Sequence, residues 1–353
     1  MTELASRINA FVKLGSFFKE YCEYVKKKPS IDPKHYPWFI KLDETVALAE
    51  QQNGWFTPDN IFHGLENWAE LLTPTNLNDW LSAYDLRTNR PKSVAVIMAG
   101  NIPLVGFHDF LCIVLTGNKV RVKLSSNDRV LLPFVAQYLI EIEPSFKGDI
   151  EFVEGKLDDF DAVIATGSDN TSRYFEHYFG NGPNIIRKNR NSIAVLTGAE
   201  SEERLRALGE DIFRYYGLGC RSVSKLFVPK DYNFDAFFKA IFPFGHLIDQ
   251  HKYANNYDYN KAVYLMSRFN LLDNGFLMLK EDEQYASPIA TLFYEYYDSL
   301  EELRVRLEND REKLQCIVSE GVFADEVHFG QTQKPSLASY ADNRDTVQFL
   351  LKT

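Results

Sequence analysis

From the start of the chain to about Arg90, apolar residues recur at the spacing of one helix face, as in Ile8, Phe11 and Val12 and then Phe17, Phe18 and Tyr21. Steps of three and four residues place side chains on one stripe of a helix, so this segment predicts a helical N-terminal layer. Within it, "TPDNIFHGLENWAELL" joins a Thr-Pro-Asp entry to Ile61, Leu65, Trp68 and Leu71 on one face, which predicts a capped amphipathic helix.

The texture changes at Ser93. "SVAVIMA", "NKVRVK", "DIEFVE", "DAVIAT" and "SIAVLT" are short β-rich runs separated by stretches long enough for helices. Strand, crossover and strand in repetition predict an open α/β parallel sheet, with ligands at the carboxyl ends of its strands. After Gly198 a helical pattern resumes in "SEERLRALGEDIFRYYG", passes Cys220 and returns to strand in "SKLFVP". Helices around 234–240 and 256–269, runs at "GFLMLK" and "SPIATLFYEYY", an acidic helix at "SLEELRVRLENDREKL" and the strand-like "QCIVS" predict a second α/β unit. The terminal "DTVQFLL" reads as a last strand. The expected division is 1–198 for the helical layer with a Rossmann-like cofactor domain, 199–325 for a catalytic domain and 326–353 for a tail strand.

Composition narrows the partner. The 353 residues are 45% hydrophobic and 25% charged, a globular balance, and a formal net charge of -10 argues against nucleic acid or an anionic membrane surface. The first twenty residues break every apolar run with Glu, Arg or Lys, which fits neither a signal peptide nor a membrane span. Cys22, Cys112, Cys220 and Cys316 lie far apart with no C-x-x-C pair, so no metal site is expected, and a cytoplasmic protein with reduced thiols is.

Of those thiols one stands apart. Cys220 sits in "YYGLGCRSVSKLFVP", a Gly-rich turn beside Arg221, where a cation would favour the thiolate. Gly217 and Gly219 do not form a dinucleotide fingerprint, which needs strand, turn and helix in that order. Cys112 in "DFLCIVL" reads as a small apolar residue on a buried helix, and Cys22 and Cys316 read likewise. No histidine stands at a telling distance from a thiol. Asn101, in the Gly-Asn-Ile-Pro turn after the first strand, is placed to point an amide into the crevice, or equally to cap a helix entered at Pro103. Lys123 at a strand end suits ribose or phosphate, and Gly167-Ser168 before a helix offers amides to phosphate.

Taken in order, Asn101-Ile102-Pro103, Lys123 to Ser126, Thr166-Gly167-Ser168 and Gly217 to Cys220 resemble four motifs of the aldehyde dehydrogenase superfamily. "GNIPLVGFHDFL", the Cys220 stretch and the terminal "FGQTQKPSLASYAD" are similar to the acyl-CoA reductases related to the LuxC subunit of fatty-acid reductase. The resemblance implies an aldehyde dehydrogenase-like fold and an attack by the Cys220 thiolate on an acyl thioester, carried by CoA or an acyl-carrier protein. Asn101 and the Cys220 N–H would hold the oxyanion, and a nicotinamide cofactor would complete reduction to the aldehyde.

Departures from the superfamily sharpen the expectation. Hydrolytic members carry a glutamate base where this chain has "IIRKNRNSIAVLTG", the aligned place falling near Arg187 and Lys188, so acyl transfer to or from a thiol replaces hydrolysis. Ser126 stands where the superfamily has a ribose-binding glutamate, and with Arg121 and Lys123 on one strand face it favours NADPH, NADH remaining possible. Glu283, or else Gln284, takes the place of a glutamate on the nicotinamide ribose. Tyr253, Tyr257, Tyr259 and Phe269 fit core or interface positions better than an acyl tunnel. Rival readings are an NAD(P)-dependent aldehyde dehydrogenase and a non-catalytic nucleotide-binding subunit, although intact Cys220, Asn101 and Lys123 argue against the second. The terminal strand, an aggregation hazard on an open edge, implies a homodimer, within reach of a multienzyme complex.

Overall fold

The computed structural model describes residues 3–27, 37–86 and 89–353. The chain divides into two units, 1–188 with 336–353 and 189–335.

The first unit opens with helices α1 (Glu3–Lys27), α2 (Pro37–Gln52), α3 (Pro58–Leu71) and α4 (Pro74–Leu81), the expected helical layer. Helix α3 starts as its sequence demands: Thr57 accepts a hydrogen bond from the Asn60 amide, Pro58 enters the first turn, and Ile61 and Leu65 are buried. Strands β1 (Ser93–Ile97), β2 (Lys119–Lys123), β3 (Ile150–Phe152), β4 (Ala162–Thr166) and β5 (Asn184–Arg187) follow, joined through α5 (Phe107–Leu115), α6 (Leu131–Ile142) and α7 (Asp169–Phe179). Every pairing is parallel and the order is β3-β2-β1-β4-β5. Alternation sorts the strand residues between two cores. Val94, Val96, Val120 and Val122 pack with the N-terminal helices, while Ala95, Val163 and Ala165 meet Phe175 and Phe179 on the other face. Helix α5 is buried along its length, because a parallel sheet needs an apolar crossover laid on it.

The second unit holds β6 (Asn191–Val195), α8 (Glu202–Phe213), β7 (Val223–Pro229), α9 (Phe234–Ile241), α10 (His251–Met266), β8 (Leu271–Asp273), β9 (Met278–Glu281), β10 (Thr291–Tyr297), α11 (Leu300–Asn309) and β11 (Leu314–Val318). Its sheet runs β11-β6-β7-β10-β9-β8, parallel except for the β8 and β9 pair. Helices α8 and α9 cover one core and α11 the other.

Three expectations change. The boundary expected at 198 falls earlier, because β6 belongs to the second sheet. Residues 336–353 are no separate tail. Leu337 and Tyr340 are buried in the first unit's core, where the Tyr340 hydroxyl accepts from Trp80 Nε1 at 2.8 Å. The terminal segment is helix α12 (Thr346–Lys352), not a strand. Asp345 caps it by accepting from the Gln348 amide at 2.8 Å, and Val347 and Leu350, three apart, bury one face. The open apolar edge on which the homodimer expectation rested is therefore absent.

Candidate active site

Cys220 lies in a backbone held away from its relaxed state. After α8 ends, Tyr215 (φ 56), Tyr216 (φ 57) and Gly217 (φ 75) take left-handed conformations in succession. Glycine does so freely, but each tyrosine costs on the order of 1–3 kcal/mol. Burial of both rings keeps them there, and Tyr216 packs on Tyr253 at 6.1 Å. The Leu218 amide donates to Tyr215 O at 3.1 Å and the Ser222 amide to Gly219 O at 2.9 Å, closing the turn ahead of β7.

The result is one exposed thiol among four. Cys220 is exposed, whereas Cys22, Cys112 and Cys316 are buried. Burial pushes the Cys22 thiol up to about 12 and that of Cys112 well above the ordinary cysteine value, so neither is a nucleophile at neutral pH. Arg221, expected to serve Cys220, donates from Nη1 to Cys316 Sγ at 3.4 Å. At least one arm of that guanidinium is thus committed elsewhere. Under the turn, fully buried Ser192 donates to Cys220 O at 2.9 Å and accepts from the Cys316 amide at 3.2 Å, and Gln333 Nε2 donates to Ser222 Oγ at 3.3 Å. A serine inside "NSIAVLTG" carries no mark of this role. Its two partners come from distant stretches of chain.

In the first unit the candidates gather where the strand order reverses between β1 and β4, the place where open parallel sheets bind ligands. Asn101 is exposed in the turn after β1. It does not cap the following helix, since α5 begins only at Phe107 with Gly106 at its N-cap, so that alternative is withdrawn. The turn needs its glycines. A Cβ on Gly100 would lie 2.6 Å from Ser125 Oγ, and one on Gly106 2.6 Å from Met98 Sδ. Lys123 ends β2 and donates to Gly155 O at 2.9 Å, with exposed Ser126 three residues on. Arg121 reaches the same side but is tied to Glu151 of β3, Nε to Oε2 at 2.9 Å and Nη2 to Oε1 at 3.3 Å. At the end of β4, Gly167 admits Phe175 where a Cβ would sit 2.9 Å from its ring, and Ser168 uses its hydroxyl to cap α7 by accepting from Thr171 N at 3.3 Å. What α7 offers a ligand is therefore its N-terminal amides.

A group not anticipated from the sequence holds the turn that follows Asn101. Asp128 is only 8% exposed, and its Oδ2 accepts from the Leu104 amide at 3.2 Å. Burial pushes its carboxyl up to about 6, against the pull of the Leu104 and Leu131 amides.

Glu283 belongs to the second unit, exposed in a segment fixed from below. Lys225, fully buried in β7, donates to Asp282 O and Glu283 O, both at 2.9 Å, and to Glu295 Oε2 at 2.5 Å. Gln284 is exposed as well. Tyr253 and Tyr257 are core residues, donating to Phe276 O and to Asp273, whereas Tyr259 and Phe269 are exposed.

Near the place where the resemblance expects the hydrolytic glutamate, Arg187 is a buried cation. Arg187 is locked to Asp109 of α5 through two contacts, Nη2 to Oδ1 at 2.8 Å and Nη1 to Oδ2, and donates to Thr346 of α12 at 3.1 Å. Lys188 pairs on the surface with Glu176 at 2.8 Å. A guanidinium accepts no proton, so no general base acts from that side chain. His108 is structural too: its Nε2 lies 2.9 Å from Leu337 O and its ring stacks on Trp80 at 5.9 Å.

Both sheets and their order define an aldehyde dehydrogenase fold. An indole-3-acetaldehyde dehydrogenase of P. syringae, in a complex with NAD+ and IAA, superposes with a TM-score of 0.65 at 15% identity, over 95% of this chain and 75% of that one. Aldehyde dehydrogenase KauB of Pseudomonas aeruginosa gives 0.62 at 13% identity, covering 90% and 72%. An NAD+ complex of a Bacillus cereus aldehyde dehydrogenase gives 0.59 at 16%, again covering 90% and 72%. Residues 23–238, more than half of the chain, match the acyl-CoA reductase (LuxC) family, and the chain belongs to it. That membership makes it an aldehyde-related oxidoreductase. No curated protein matches the sequence significantly. Among the described residues no helix is long and apolar enough to cross a membrane.

Proposed function

We propose that this protein reduces an acyl thioester, on CoA or an acyl-carrier protein, to an aldehyde through an acyl-Cys220 intermediate. The observation that carries the reading is Cys220 itself, the one exposed thiol, held by a strained turn and a buried serine. Its thiolate forms a bond to the acyl carbon while the carbon–sulfur bond to the carrier breaks, and the carrier thiol leaves with a proton. The Cys220 N–H and the Asn101 amide are the donors for the oxyanion in this scheme. A nicotinamide cofactor, when bound, supplies the hydride that reduces the acyl carbon. The thiohemiacetal left on Cys220 then gives up its hydroxyl proton, the carbon–sulfur bond breaks, and aldehyde and free thiol result.

The carboxyl end of the first sheet fits such a dinucleotide. In this reading α7 presents its N-terminal amides to a phosphate, and Lys123 and Ser126, at and beyond the end of β2, are proposed to flank a ribose. NAD+ is present in the P. syringae and B. cereus structures, which supports the class of cofactor. For this chain NADPH is proposed, because position 126 carries no carboxylate to repel a 2′-phosphate. Glu283 or Gln284 is proposed for the nicotinamide ribose.

The rival, a hydrolytic aldehyde dehydrogenase, needs a base to activate water, and Arg187 cannot be one. The discriminating experiment supplies acyl-CoAs of graded length with NADPH, follows nicotinamide absorbance and traps aldehyde. In reverse, aldehyde oxidation should require added thiol carrier. Release of free carboxylic acid from aldehyde at the same rate without any thiol would establish the rival.

A further inference from the structure

We propose that Asp128 is the positioning residue for Asn101, a clamp between the loop after β2 and the turn after β1. The inference rests on Asn101 being the oxyanion donor.

Leu104, three residues beyond Asn101, is held at φ 56, a left-handed conformation that a leucine adopts at a cost. Such a residue persists only where its surroundings over-determine it. Here the surroundings are specific. The Leu104 amide donates to Asp128 Oδ2 at 3.2 Å, and the next helix starts from the same residue, with Phe107 N donating to Leu104 O at 2.9 Å. Asp128 makes this contact from a buried position.

The other end of the clamp is equally fixed. The Asp128 amide donates to Ser125 O at 3.3 Å, making Ser125 to Asp128 one turn with Ser126 at its exposed side. Asn53, itself buried, donates from Nδ2 to Asn127 O at 3.3 Å, and Ser125 packs against Gly100 where no Cβ could fit. The loop bearing Ser126 and the turn bearing Asn101 therefore cannot shift independently. Whatever orders the first helps to preorganise the second, and the coupling is reciprocal.

The test uses the full chain and an acyl-CoA as probe. The rate of Cys220 acylation is read by quenched-flow mass spectrometry, NADPH affinity by fluorescence, and folding by thermal melts. Asn101→Ala should slow acylation about 10²–10³-fold. Asp128→Ala should slow it about 10-fold or more by misplacing the donor. The double variant should be no slower than Asn101→Ala alone, since Asp128 acts through Asn101. Asp128→Asn should recover most of the rate, because its carboxamide oxygen still accepts from Leu104. Near-isosteric Asp128→Leu serves the same cycle if Asp128→Ala does not fold. Multiplying defects in the double variant, or a wild-type rate in Asp128→Ala, would overturn the clamp while Asn101→Ala still shows the expected loss. Absence of any acyl-Cys220 in the wild type would instead remove the functional reading, and the clamp with it.

Discussion

In the proposed cofactor site, Ser126 and Glu151 would act on the 2′ position of the ribose from opposite sides. Ser126 leaves a phosphate unopposed, whereas Glu151 neutralises Arg121, the cation that would otherwise help to hold it. Ser126→Glu should therefore shift preference from NADPH toward NADH, and Glu151→Gln, by releasing Arg121, should shift it further toward NADPH. Ratios of kcat/KM for the two cofactors check both. Unmoved ratios in both variants would mean that neither side chain faces the ribose. At this scale the placement of Cys220, Asn101 and Lys123 in turns and at a strand end was legible because each breaks its local pattern: a thiol in a glycine turn, an amide or a cation where a strand ends. Asp128, Ser192 and Glu151 were not. "SSND" looks like any turn, and the burial of Asp128 arises only when two loops meet.

Among the elements, β5, β8 and α12 escaped the sequence pattern, and a hydrogen bond from Arg187 to Thr346 joins β5 to α12. "NIIR" has four residues and ends in a charge, so no run of alternation announces a strand, yet Arg187 at its end is buried against Asp109 and Thr346. "DTVQFLL" offered β-favouring Thr and Val, but the Asp345 cap and the spacing of Val347 and Leu350 select helix. Strands β1, β4 and β6, by contrast, are nearly continuous apolar runs, as a sheet covered on both faces requires, and β2 announces itself by strict alternation. Removing one partner of a buried pair strands the other charge. Asp109→Ala should thus destabilise the protein by about 3–5 kcal/mol, seen in chemical denaturation. Combining Asp109→Leu with Arg187→Met should restore much of that loss. A double variant as unstable as the single one would show that packing, not the orphaned cation, sets the cost.

For the molecule as a whole, the candidate groups divide between the two units: Asn101, Lys123, Ser126, Gly167 and Ser168 in the first, Cys220 and Glu283 in the second. The parallel order of the first sheet followed from the rhythm of strand and crossover. The return of residues 336–353 to the first unit did not, because it depends on Trp80, Tyr84 and Tyr340 meeting across most of the chain's length. Family membership and fold converge on aldehyde chemistry, and the thiol decides its form. The most direct measurement is peptide mass spectrometry after mixing the protein with an acyl-CoA in the absence of nicotinamide cofactor. The account predicts one acyl group per chain, on the peptide that contains Cys220, and none in Cys220→Ala. Acylation of Cys22, Cys112 or Cys316 instead, or aldehyde formation by Cys220→Ala at the wild-type rate, would contradict it.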